Sequence, residues 1–164
     1  MTWARIRKHR RAAFFVAVAT GAAAVVWVLA GTPVPWQPPQ ASLRLSARRV
    51  DGSTVYRTNC AGCHGAFGEG EPDWKSQRGD GTYPSPPQDG TGHTWHHADG
   101  LLFRIVRQGG QYGAPAGFKS RMPAWGGALS DAEIVAVLEY IKTLWEPWER
   151  EAQAKVSIQD PYPP

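Results

Sequence analysis

The chain has 164 residues with 14 prolines, 18 glycines and two cysteines, so one domain with an appendage is expected, and much of it should be loop. Its net charge of +4 comes from the start of the chain, where Arg5, Arg7, Lys8, Arg10 and Arg11 precede residue 12 with no acid among them. The remainder is close to neutral and shows no basic cluster of the kind that neutralises phosphates, which argues against nucleic-acid binding.

In chain order, residues 1–11 read as a basic cytoplasmic tail. Residues 12–30, AAFFVAVATGAAAVVWVLA, carry no charge; as a helix they would span about 28 Å, close to the hydrocarbon thickness of a bilayer. A positive N-terminal flank keeps the tail inside and sends the chain beyond Ala30 across. A cleaved signal peptide is the rival, with small residues around Val28-Leu29-Ala30, but the apolar run exceeds a usual signal core, so an uncleaved transmembrane anchor is favoured. Residues 31–45 form a Pro-rich linker, with Pro33, Pro35, Pro38 and Pro39 favouring an extended, semi-rigid spacer.

A folded domain is expected over 46–146. Its first helix is predicted from about Ser46 to Asn59, with Gly52, Val55 and Tyr56 on one face and Gly52 permitting a second helix to cross closely. It leads into Cys60-Ala61-Gly62-Cys63-His64. Two thiols three positions apart on one helical turn can add to the two vinyl groups of one porphyrin, and an imidazole directly after the second can take the proximal iron site. A redox dithiol would want a βαβ setting, a zinc site would want two more ligands, and a disulfide gives no reason for His64. One covalent haem c on Cys60 and Cys63, with His64 as proximal iron ligand, is therefore the reading.

Residues 65–98 look structureless, with seven glycines and with prolines at 72, 84, 86 and 87. His93, His96 and His97 close the stretch. On a helix they would share a face and in principle bind copper or zinc, but they precede Asp99, which reads as a helix N-cap, so exposed or loop-bonded histidines are favoured. A short amphipathic helix comes next, with Leu101, Leu102, Ile105 and Val106 repeating until Gly109-Gly110.

Residues 111–129 form a second Gly- and Pro-rich loop containing Met122, the one methionine besides Met1. Its place in a loop beside Pro123, with a haem motif upstream, favours a thioether axial ligand over a core filler. Ser130-Asp131-Ala132-Glu133 then reads as a capping box. Ile134, Val137, Leu138, Ile141, Leu144 and Trp145 form the buried stripe of the helix, which Pro147 ends. Residues 147–164 read as a polar, loosely ordered tail.

From about Gly52 to Trp145 these residues resemble a class I cytochrome c, the mono-haem His/Met type of bacterial respiratory chains. The resemblance rests on Gly52 and Tyr56, then Cys60, Cys63 and His64, then Met122-Pro123, then the capped helix carrying Tyr140. It implies an all-α fold of three to five short helices around one haem, with long Gly/Pro-rich loops. The first and last helices would cross near Gly52, with Tyr56 and Tyr140 in the contact. It also implies a proline carbonyl accepting from the second ring nitrogen of His64; Pro84, Pro86 and Pro87 are all eligible. The long loop before Met122 and the three-histidine cluster depart from the common pattern.

The function so implied is electron transfer, not enzymatic catalysis: single electrons shuttled between respiratory partners, with Met122 as the distal ligand to iron. The domain would face the periplasm or cell exterior, tethered to the cytoplasmic membrane by its N-terminal helix, or be released there if that segment is cleaved. Two rivals stand beside it. One is a haem enzyme of the peroxide or nitrogen-oxide reductase type with an open or labile sixth site; the other is a copper-handling protein using His93, His96 and His97. Donor and acceptor are not encoded in any motif.

Overall fold

The structure, a computed structural model, describes residues 39–163. The expected tail, transmembrane anchor and first part of the linker lie outside the described residues. Within them there are helices and loops and no strand, and no helix is long and apolar enough to cross a membrane. In chain order the helices are α1 (Pro39–Ala47), α2 (Gly52–Asn59), α3 (Ala61–His64), a 3-10 turn (Thr94–His96), α4 (Asp99–Gln108), α5 (Asp131–Lys142) and α6 (Pro147–Ser157).

Helix α5 is the centre of the domain, contacted by α1, α2 and α4. It starts as its sequence predicts: Ser130 Oγ accepts from the Glu133 N–H at 3.3 Å, and the Glu133 carboxylate accepts from the Ser130 N–H at 2.8 Å. Besides Ile134, Val137, Leu138 and Ile141 it buries Val135 and Ala136, so its apolar surface runs round the helix, as suits an element packed on several sides.

The α2–α5 crossing depends on Gly52. A Cβ there would overlap the Ala136 carbonyl oxygen and lie 3.1 Å from the Tyr140 Cβ. One turn on, the Tyr56 and Tyr140 rings meet with centroids 5.3 Å apart, tilted at 49°. The sequence expectation for this contact holds. The single helix expected from Ser46 to Asn59 does not: the chain turns between Ala47 and Gly52, and Asp51 restarts it by accepting from the Ser53 N–H at 3.0 Å.

Two further segments differ from expectation. Residues 39–45, read as the end of an extended spacer, form α1 together with Ser46 and Ala47; the helix buries Ala47 and sends Arg44 to the Asp99 carboxylate at 3.0 Å. Residues 147–157, read as part of a loose tail, form α6. The preceding helix does not run on to Pro147 as expected: α5 stops at Lys142, leaving Leu144 and Trp145 beyond it, and Pro147 occupies the first turn of α6, with Glu146 and Glu149 forming its capping box. The side chains α6 buries are polar, Glu149, Gln153 and Ser157, so a hydrophobic pattern could not reveal it.

Asp99 is also placed differently from its N-cap reading. Ala98 is the cap, and Asp99 stands in the first turn with its carboxylate buried. That carboxylate accepts from Lys142 at 2.6 Å, from Gln153 at 2.7 Å and from Arg44. One buried acid thus joins α1, α4, α5 and α6, and removing one partner of such a buried pair typically costs about 3–5 kcal/mol. Tyr162, 1% exposed, closes the same cluster: its hydroxyl donates to Glu139 at 2.9 Å, and Arg44 and Lys142 lie over its ring.

Candidate functional site

Helix α2 ends at Asn59, and α3 is the single turn after it, with Cys60 at its start and His64 at its end. The His64 N–H returns to the Cys60 carbonyl at 2.9 Å, which fixes the spacing of the motif. Tyr56 steadies the exit by donating its hydroxyl to the Gly65 carbonyl at 3.0 Å. Cys60 and Cys63 are not bonded to each other. Burial, and then the neighbouring Cys63, pushes the Cys60 thiol up to about 11, the opposite of what a reactive redox dithiol requires.

Both cysteines and His64 line a cavity of about 590 Å³. Its far walls are apolar: Leu102, Ile105 and Val106 from α4, and Val137, Leu138 and Ile141 from α5. Met122 and Trp125 enter from the second loop. That loop is held to the end of α4 by its backbone. The N–H groups of Trp125 and Gly126 donate to the Val106 and Arg107 carbonyls at 3.0 and 2.9 Å, and the Gly110 N–H donates to the Met122 carbonyl at 3.1 Å. Helix-end carbonyls without intrahelical partners are thereby satisfied, and Met122 is carried into the same cavity as His64.

His64 is 9% exposed. Burial holds its proton affinity below the ordinary imidazole value, partly offset by its bond to the Pro86 carbonyl. That bond, Nδ1 to Pro86 oxygen at 2.8 Å, requires the proton on Nδ1 and leaves Nε2 as the nitrogen with a lone pair. Of the three eligible prolines, the structure selects Pro86.

The selection comes from loop pairing. The Gln88 N–H donates to the Gly68 carbonyl at 2.7 Å, the Glu71 N–H to the Ser85 carbonyl at 2.9 Å, and the Gly70 N–H to the His64 carbonyl at 2.8 Å. Glu71 accepts from the Ser85 N–H at 2.7 Å and from Arg78 at 2.6 Å, while the Trp145 indole donates to the Gln88 carbonyl at 2.8 Å. Gly70, at φ 69°, comes so near the Pro86–Pro87 peptide that a Cβ would lie 2.5 Å from the Pro87 nitrogen. Sequence reasoning missed Glu71, Gln88 and Thr94, because nothing in their spacing marks them.

The three histidines of the loop do not converge. His93 stacks on Trp74 at 5.4 Å and His96 on Trp95 at 3.6 Å, while His97 meets His93 edge to face at 5.3 Å. Among the described residues, no group of three His, Cys, Asp or Glu side chains is placed to hold a metal ion, so a copper site on this cluster finds no support. His93 and His97, but not His96, line the cavity.

A mostly apolar cavity with two thiols on one wall, an imidazole whose second nitrogen is already occupied, and a thioether at its edge fits a flat metalloporphyrin bound through sulfur. Comparison with known proteins agrees. The chain is 28% identical over 100 residues to the cbb3-type cytochrome c oxidase subunit FixP of Azorhizobium caulinodans, a match covering 61% of this chain and 30% of that relative. The chain thus spans well under half the length of that relative. The family model for Cytochrome c matches residues 50–145, which contain the two-cysteine, histidine motif and every cavity wall described above, and the chain belongs to the cytochrome c family, with the covalent haem c and haem-based electron transfer that membership implies.

Proposed function

We propose that this protein is a one-electron carrier with a single haem c bound through Cys60 and Cys63. His64 Nε2 and Met122 Sδ would hold its iron. When bound, the haem supplies a one-electron ferric/ferrous couple. Pro86 sets the tautomer and orientation of His64 and raises its basicity. The Met122 thioether, a soft donor, favours the reduced state, and the apolar walls from α4 and α5 exclude water and work in the same direction. Cys63 and Phe67 lie exposed beside the motif, Phe67 at 80%, which supports a small, transient docking surface there for redox partners. Residues 12–30 anchor the domain to the cytoplasmic membrane on its outer face, and the domain carries electrons without catalysing a reaction of its own.

The observation that carries this reading is the meeting of His64 and Met122 in one cavity with both thiols. The test is the absorption spectrum and mass of the protein purified from membranes. Low-spin iron, a band near 695 nm when oxidised and one covalent haem on an uncleaved chain are expected; high-spin iron would overturn the ligand assignment.

A second reading draws on His93 and His97, which line the same cavity. In it the protein is a haem enzyme whose sixth site opens, with these histidines as acid and base. High-spin iron that binds small exogenous ligands would select it.

A further inference from the structure

Gln88 stands against the ring nitrogen of His64 that Pro86 already engages: its side-chain amide nitrogen lies 3.0 Å from Nδ1, and its amide oxygen accepts from the Thr94 hydroxyl at 2.9 Å. With the Nδ1 proton directed at Pro86, an amide N–H would face an imidazole N–H, donor against donor. Moving the proton to Nε2 would only transfer the conflict, since the Nδ1 lone pair would then face the Pro86 carbonyl. Exchanging the amide oxygen and nitrogen of Gln88, which have nearly the same shape, removes every conflict. The oxygen then accepts from Nδ1–H, the nitrogen donates to the Thr94 hydroxyl, and that hydroxyl is equally able to accept.

The geometry points to Gln88 as a positioning residue for the proximal imidazole, giving His64 Nδ1–H a second acceptor beside the Pro86 carbonyl. The amide is well placed to hold this role. Its backbone N–H is bound to Gly68 and its carbonyl to the Trp145 indole, so only the side-chain torsions are free, and Thr94, itself buried, orients their end. Two acceptors on one N–H draw more negative charge onto the ring than one. A more basic imidazole stabilises the oxidised metal, so Gln88 lowers the reduction potential against the upward pull of Met122. This inference rests on the proposed ligation by His64.

The test compares the full-length native protein with Gln88→Leu, Gln88→Glu and Thr94→Val. Gln88→Leu removes the acceptor, so the potential should rise and the Nδ1–H proton should exchange faster with solvent. Gln88→Glu supplies a stronger, charged acceptor, so both should move the other way. Thr94→Val frees the amide, and should give a smaller rise. A merely structural role would shift the Leu and Glu variants in the same direction, or neither. Either result, with the haem still attached, overturns the role of Gln88 and leaves the electron-carrier reading intact. A native protein lacking covalent haem overturns both. If Gln88→Leu fails to mature, the opposed shifts of Gln88→Glu and Thr94→Val decide the matter alone.

Discussion

The two loops that bring His64 and Met122, the proposed iron ligands, to the cavity are built on different principles. The loop on the His64 side is pinned through side chains as well as through its backbone pairing: Glu71 to Arg78 and Ser85, Gln88 to Thr94, Trp145 to Gln88, and Pro86 to His64 itself. The loop on the Met122 side is pinned through its backbone to the end of α4. Its side-chain bonds are those of Gln111 to Phe118 and Ser120, and of Ser120 to the Met122 N–H. Among the described residues no hydrogen bond reaches the Met122 sulfur, whose position depends on packing against the core. The His64 side chain is therefore held by directional bonds and the Met122 side chain by shape. Shape tolerates displacement, so the methionine side should yield first when the domain is stressed.

The largest effect should come from breaking the His64 side at Gly70. In Gly70→Val a β-branched side chain meets the Pro86–Pro87 backbone at a positive φ. A loss of about 3 kcal/mol in urea unfolding is expected, together with poor haem incorporation. Next is Met122→Ala, which should cost about 2 kcal/mol through lost packing. The covalent haem should remain, the 695 nm band should disappear and the potential should fall. An unchanged spectrum would mean that Met122 is not the distal ligand.

The smallest effect distinguishes the loops by acid. Residues 111–129 contain no histidine, whereas His97 of the other loop is held below the ordinary imidazole value by burial, then by His93 and His96. The unfolded chain therefore binds the proton more readily than the fold does. The stability this gives is complete above about pH 6.5 and is lost as pH falls toward the lowered value. Backbone amide protection at 85–97 should weaken from pH 7 to pH 5 more than at 110–126, and His97→Gln should reduce that difference, the remainder coming from His93, which burial holds down in the same way.

These contrasts also explain what was legible from residue order. The attachment motif, the start of α5 and, to within a residue, the limits of α4 depend on neighbours within a few positions and could be read, whereas the Gly52 crossing with Tyr56 and Tyr140 joins distant parts of the chain and was legible through the family resemblance. Pro86 could not be chosen over Pro84 or Pro87, because the choice is made by pairing Gly68 and Glu71 with residues 14 to 20 positions away. Helix α6 was hidden because Gln153 and Ser157 are buried for hydrogen bonds to the Asp99 region and not for their hydropathy. Helix α1 was hidden because Pro39 and the prolines before it mark an extended chain, while its fit depends on Asp99, far along the sequence.

Asp99 has a mechanical meaning as well. Arg44 reaches it from near one end of the described chain, while Lys142 links it to the Tyr162 ring near the other, and none of these residues lines the cavity. A pull on either end would be absorbed by this ionic knot before it reached His64 or Met122. The domain is thereby fastened at both flanks by contacts that lie outside the cavity where His64 and Met122 sit.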